Sequence, residues 1–286
     1  MAARPRTLPA AIAPVLVGTA AAYYAVEDLG WLPFAAALAG SILIQIGTNL
    51  ANDYSDAKRG ADTADRLGPV RVTSAGLLAP RRVLRATWIA FAAALGVGIY
   101  LATVAGPEIL AVGAVSIAAG VLYTGGPRPY GYAGLGELFV FLFFGLVAVN
   151  GSYYVQLEDL DLLPFLLSIP VGFLATAILV VNNVRDLDTD ARAGKRTLAV
   201  RLGRERTRLL YAALVAAAFG LLPLGLWLGE GPAEGLAALA AAPLAGSPLR
   251  AVRTRTDGPA LNGALAGTGI VLAVFSALLA AGLALG

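Results

Sequence analysis

Read for its apolar and polar stretches, the chain divides into nine apolar runs of roughly 17–25 residues, the length that crosses the hydrocarbon core of a bilayer. They fall at approximately 9–26, 31–51, 83–104, 107–124, 134–156, 163–182, 207–229, 232–250 and 261–284. The connections are short at one end of the runs. At the other end two are long and polar, 53–82 and 185–206. The pattern predicts an all-α fold: a polytopic membrane helical bundle of about nine transmembrane helices. Runs two and six, four apart, both close on an Asn/Asp cluster. Asn49 and Asp53 match Asn182 and Asp186 in spacing. That suggests two pseudo-repeats of four helices plus one, in a single domain covering 1–286, with 53–82 and 185–206 as its active-site loops.

Charge orients this bundle. All 21 Lys and Arg residues fall at one end of a nine-run arrangement. The opposite end carries only acids: Glu27, Asp28, Glu108, Glu158, Asp159, Asp161, Glu230 and Glu234. The positive-inside rule then places the N-terminus and both long loops in the cytoplasm and the C-terminus outside. The expected location is the plasma membrane (the cell inner membrane), multi-pass, with the active site facing the cytoplasm. The first run lacks a clean cleavage site and reads as a retained helix. Orientation alone accounts for Arg4, Arg208 and Arg253.

Composition narrows the chemistry. Of the 286 residues, 58% are hydrophobic and 14% charged, against about 25% charged in a soluble domain. Cysteine and histidine are absent. This excludes disulfides, thiolate or imidazole metal sites, haem and iron–sulfur ligation, and every Ser-His or Cys-His nucleophile pair. A bound metal would be a hard cation held by carboxylates and amides.

The clusters have that chemistry. The first contains Asn49, Asn52, Asp53, Asp56 and Asp62, with Arg66 and Arg71 following. Asn49 and Asp53 share a helix face, as do Asn52 and Asp56. One such cluster alone reads best as a solvated acidic helix end with compensating arginines. The second alters the balance: Asn182, Asn183, Asp186 and Asp190, then Lys195 and Arg196. Asp188 lies off the Asp186–Asp190 face and is expected to point to solvent. Two oxygen-rich helix ends facing one space would hold Mg²⁺ and a diphosphate. The turn from Tyr123 to Tyr132 adds three tyrosines and Arg128. It serves equally as an interfacial aromatic belt or as a set of ring faces for a developing cation. The run Phe139–Phe144 faces lipid, core or a tunnel for an apolar chain.

These residues resemble the UbiA superfamily of intramembrane prenyltransferases, in its naphthoate branch. The supporting strings are NLANDYSDAKRGAD at 49–62, RLGPVRVTSAG at 66–76, YTGGPRPYGYAGLGE at 123–137 and NNVRDLDTDARAGKRTL at 182–198. Gly60 stands where the wider family often has an acid. Pro127 stands where it often has a lysine, so Arg128 would take that charge. The resemblance implies transfer of a polyprenyl group from polyprenyl diphosphate to 1,4-dihydroxy-2-naphthoate, with loss of CO₂ and diphosphate, giving demethylmenaquinone. It implies Mg²⁺ held by Asp53, Asp56, Asp186 and Asp190, with Tyr123 beside the reacting groups. Asn49, Asn52, Asp62, Arg66, Arg71, Arg128, Asn182, Asn183 and Lys195 would contact substrates. The expected partners are the diphosphate donor, an aromatic acceptor and the lipid membrane, with no nucleic acid. Other acceptors, 4-hydroxybenzoate or homogentisate, would suit the same metal site. A cation transporter is the competing class, but it needs ionisable residues inside the runs, where they are scarce.

Overall fold

The computed structural model describes residues 4–60, 67–68 and 71–286; Asp62 and Arg66 of the first cluster lie outside the described residues. The described residues are helical, with no strand. Nine helices match the nine apolar runs. They are α1 (Leu8–Val26), α2 (Trp31–Lys58), α3 (Pro80–Ala105), α4 (Glu108–Leu122), α5 (Gly136–Leu157), α6 (Leu162–Arg192), α7 (Arg204–Leu228), α8 (Ala233–Thr254) and α9 (Gly258–Leu285). Eight are long and apolar enough to cross a membrane, and α4 is a shorter apolar helix.

Local chemistry sets the ends. Pro80 opens α3, where its missing N–H costs nothing. Asp161 caps α6 by accepting from Leu163 N at 2.9 Å, and Asp257 caps α9 by accepting from Ala260 N at 2.9 Å. Two helices outrun their apolar stretches. α6 has 31 residues, about 46 Å at 1.5 Å per residue, against a hydrocarbon core of about 30 Å. α2 has 28 residues and ends at Lys58. The Asn/Asp clusters therefore lie on continuous helix, in its last turns, so the i, i+4 pairing applies to them as read.

α2 packs on α3, α6 on α7 and α9, α1 on α5 and α9, and α8 on α9. The main core joins Val17 and Ala21 of α1, Leu167, Val171 and Leu174 of α6, Leu222 of α7 and Leu272 and Phe275 of α9. Small residues let some backbones touch, the usual device where lipid supplies no hydrophobic drive. A Cβ on Gly145 of α5 would fall 2.8 Å from Gly172 Cα of α6, and one on Gly18 of α1 would overlap Val149 O of α5. α5 is not uniform: Phe141–Val147 forms a π-helical stretch.

Candidate active site

A cavity of about 350 Å³ opens between α1 and α6, with Leu265 of α9 in its wall. Its polar end is bordered by Asn49, Asn52, Asp56, Arg71, Asn182, Asn183, Asp186, Asp190 and Lys195. From there it runs between α2, α3, α4 and α5 to Leu101, Ile109 and Val155. Along α2 this is the stretch from Asp56 back to Ala37, about 28 Å of helix. Beyond the clusters the walls are mostly apolar, including Ile44, Val97, Val112, Phe139 and Phe143, with Ser41, Gln45, Thr48 and Ser116 among them.

The first cluster organises the loop that follows it. Asp53, 2% exposed, accepts the backbone N–H of Val72 at 3.1 Å and of Thr73 at 3.0 Å. It thereby ties the end of the 53–82 connection back to α2. Asp56, 1% exposed, is bound by Arg71 Nη2 at 2.8 Å and by the Tyr132 hydroxyl at 2.5 Å. Asn52 accepts from Thr124 Oγ1 at 2.7 Å. Asn49 and Gln45 both donate to Thr7 Oγ1, at 3.2 and 3.1 Å, so α2 holds the start of α1.

The second cluster is built around Arg185, which is 2% exposed. Its Nε and Nη2 donate to the two Asp186 carboxylate oxygens at 2.8 and 2.6 Å, a bidentate pair. Nη2 also donates to Asn182 Oδ1 and Nη1 to Asn262 Oδ1, each at 2.7 Å. Lys195 joins the clusters: Nζ lies 3.6 Å from Asp190 and 3.8 Å from Asp56, and 4.8 Å from the Tyr132 ring centre. Asp188 points away as its spacing predicts. Its side chain is 67% exposed and pairs with Arg204 at 2.7 Å.

Tyr123 borders the cavity and is half-buried. Burial first, then the nearby charges of Glu137, Tyr130, Asp56 and Asp190, pushes its hydroxyl above the ordinary tyrosine value. Tyr130 meets Tyr123 edge to face at 5.4 Å and stacks on Phe139 at 4.0 Å.

The structure thus brings Asn49, Asn52, Asp56, Arg71, Tyr123, Asn182, Asn183, Asp186, Asp190 and Lys195 to one cavity. It does not bring Arg128, whose side chain is exposed outside the wall. Asp53 stands just behind the wall, holding the loop. Arg4, expected to serve orientation only, borders the cavity. The sequence offers no role for Arg185 or Glu137, and offers Tyr132 only as one of three ring faces or belt residues, not as a partner of Asp56. Arg185 sits in the 182–198 string, but only the structure shows it turned inward. Glu137 escaped notice because it opens an otherwise apolar run.

The oxygen donors suit a hard divalent cation: carboxylates and amides, on two helices, beside one cavity. Among the described residues no three carboxylates converge as a ready-made metal cage. Mg²⁺ does not need one, since it takes one or two carboxylates and fills its remaining positions with phosphate oxygens and water.

The profile of the UbiA prenyltransferase family matches residues 11–262. The 1,4-dihydroxy-2-naphthoate octaprenyltransferase of Mycobacterium tuberculosis is 46% identical, over 99% of this chain and 96% of that protein. The protein of the same name from Mycobacterium leprae is 42% identical, over 99% of this chain and 95% of that protein. Among solved structures, the UbiA homolog from Archaeoglobus fulgidus bound to GPP and Mg²⁺ superposes with a TM-score of 0.61, at 14% identity over 97% of each chain. That last likeness is one of fold.

Proposed function

Because this chain belongs to the UbiA prenyltransferase family, we propose that it transfers a polyprenyl group from polyprenyl diphosphate to 1,4-dihydroxy-2-naphthoate, releasing diphosphate and CO₂ and giving demethylmenaquinone. One observation carries the reading: both amide–carboxylate clusters and Lys195 border the polar end of a cavity whose remaining length is mostly apolar. A diphosphate with a long isoprenoid tail has that division of polarity. The names of the relatives support the acceptor.

The diphosphate lies against Arg71 and Lys195, whose charges are buried and already directed at the cluster carboxylates. Asp53, Asp56, Asp186 and Asp190 would hold Mg²⁺, which when bound neutralises charge on the departing diphosphate. The allylic C–O bond breaks and its electron pair leaves with the diphosphate. The electron-rich ring attacks the allylic carbon through its carboxylate-bearing position, and the C–CO₂ bond electrons restore aromaticity as CO₂ departs. The faces of Tyr123 and Tyr130 shelter positive charge in a space lined by Phe139 and Phe143. The basic end of the bundle faces the cytoplasm of the cell membrane.

The test is diphosphate release by purified protein with and without Mg²⁺, in separate arms with dihydroxynaphthoate, 4-hydroxybenzoate and homogentisate. The expected result is Mg²⁺-dependent release and a prenylated, decarboxylated product in the first arm. Faster turnover in another arm would replace the acceptor, and no turnover in any arm would overturn the reading.

A further inference from the structure

Glu137 is a buried carboxylate that the chemistry above leaves without a role. It lies in the first turn of α5, and its Oε1 accepts from Asn183 Nδ2 at 2.8 Å. Its Oε2 is buried with no hydrogen-bond partner. In this pairing Glu137 Oε1 accepts and Asn183 presents its NH₂. The opposite amide orientation would set oxygen against oxygen in a buried place. Glu137 therefore turns the Asn183 carbonyl oxygen the other way, and Asn183 borders the cavity. No hydrogen bond joins that oxygen to the described residues.

A donor stands nearby. The Tyr123 hydroxyl borders the same cavity, makes no hydrogen bond with the described residues, and lies 3.3 Å from a Cβ placed on Gly136, the neighbour of Glu137. The wall thus offers one neutral acceptor and one neutral donor on the same cavity. Asp56, Asp186 and Asp190 are already engaged by Arg71, Arg185 and Lys195. A hydroxyarene is a ligand that matches: it gives an O–H to Asn183 and takes the Tyr123 proton on an oxygen. Neither group carries a charge suited to diphosphate.

Resting on the reading of function above, we propose that Asn183 Oδ1 accepts the hydrogen bond of an acceptor hydroxyl, and that Glu137 is the positioning residue that fixes this orientation.

The experiment compares Glu137→Gln, Glu137→Leu and Asn183→Ala in purified protein. It measures kcat, KM for donor and acceptor separately, the pH profile, and calorimetric binding of geranyl diphosphate with Mg²⁺. Losing one such hydrogen bond is expected to raise the acceptor KM about tenfold in Glu137→Leu and Asn183→Ala. Donor KM and geranyl diphosphate binding should stay at wild-type values. Glu137→Gln should keep a near wild-type acceptor KM, because its carbonyl oxygen still accepts from Asn183. Equal loss of donor binding would make the pair merely structural and overturn the proposal. So would an unchanged acceptor KM, or a Glu137→Gln as inactive as Glu137→Leu with one limb of the pH profile gone, which would make Glu137 a proton acceptor instead. If wild-type protein turns over no hydroxyarene, the functional reading fails and this inference falls with it. Normal wild-type turnover with unmoved variants sinks the inference alone.

Discussion

Replacing Arg185 with methionine tests how the second cluster is held. The side chain is 2% exposed and donates to Asp186 twice, to Asn182 and to Asn262. Methionine is close in length and keeps the packing, so the loss is electrostatic. Removing one partner of a buried ion pair costs about 3–5 kcal/mol, because the remaining charge keeps its desolvation penalty. The apolar gain from methionine recovers no more than about 1 kcal/mol of this. The net loss is then about 2–5 kcal/mol, and at about 2 °C per kcal/mol for a chain of this size Tm should fall by about 4–10 °C. Arg185→Lys keeps the charge but not the planar fork, and should lie between. The decisive variant is Arg185→Met with Asp186→Asn, which removes both charges. It should melt above Arg185→Met alone, since a pair removed together leaves no buried orphan. The assay is thermal unfolding in detergent without substrate, so lost catalysis does not enter. A double variant that melts at the sum of the two single losses would refute the pairing argument, and an Arg185→Met within 2 °C of wild type would refute the magnitude.

Asp53→Ala and Asp186→Ala should each nearly abolish prenyl transfer while protein remains folded in the membrane, whereas Asp188→Ala should lose little; comparable losses at 186 and 188 would show that the face assignment is wrong. Lys195→Ala should raise donor KM about ten- to a hundredfold, the equivalent of about 1.5–3 kcal/mol for a charge-assisted contact. Arg128→Ala, exposed, should resemble Arg253→Ala, and equal losses at 195, 128 and 253 would refute a diphosphate clamp. Tyr123 holds its proton above the ordinary value near pH 10, because burial and nearby carboxylates disfavour its anion. The folded protein should therefore keep this hydroxyl intact as the unfolded chain begins to ionise it at about pH 10 and lose stability as pH rises beyond that, and Tyr123→Phe should lessen the alkaline loss, measured as Tm against pH. Cysteines introduced at Lys58 and Arg192 should react only with membrane-permeant reagents, since labelling from outside intact cells would invert the topology.

Much of this was legible because bilayers impose length. Nine runs of the right length, with every Lys and Arg at one end, left little freedom in the helix count. The i, i+4 spacing of Asn49 with Asp53 and of Asn182 with Asp186 likewise carried over, because α2 and α6 continue as helix past the apolar core. What spacing could not convey is the neighbour on another element. Asp53 and Asp56 are three residues apart, yet one binds loop backbone and the other binds Arg71 and Tyr132. Arg128 and Arg4 exchanged expected places for the same reason: a Gly/Pro turn fixes no side-chain direction, and the N-terminus is placed by residues far along the chain, among them Gln45 and Asn49 reaching Thr7. Glu137 had no periodic signal at all, since its partner Asn183 is 46 residues away.

The π-helical stretch of α5 gives this bundle one place where length is forgiving. Phe141–Val147 carries a wider turn than an α-helix, in effect one residue more than the span needs. A single deletion there can close the wide turn to an α-helical one. Val149 and Ser152 then stay against Gly18 of α1, and Gly151 and Val155 stay in the cavity wall. The middle of α6 has no such turn. A residue lost there would rotate everything that follows by about 100°, and Asn182, Asp186 and Asp190 would turn off the cavity. The apolar length of the cavity thus tolerates a lost residue that its polar end does not.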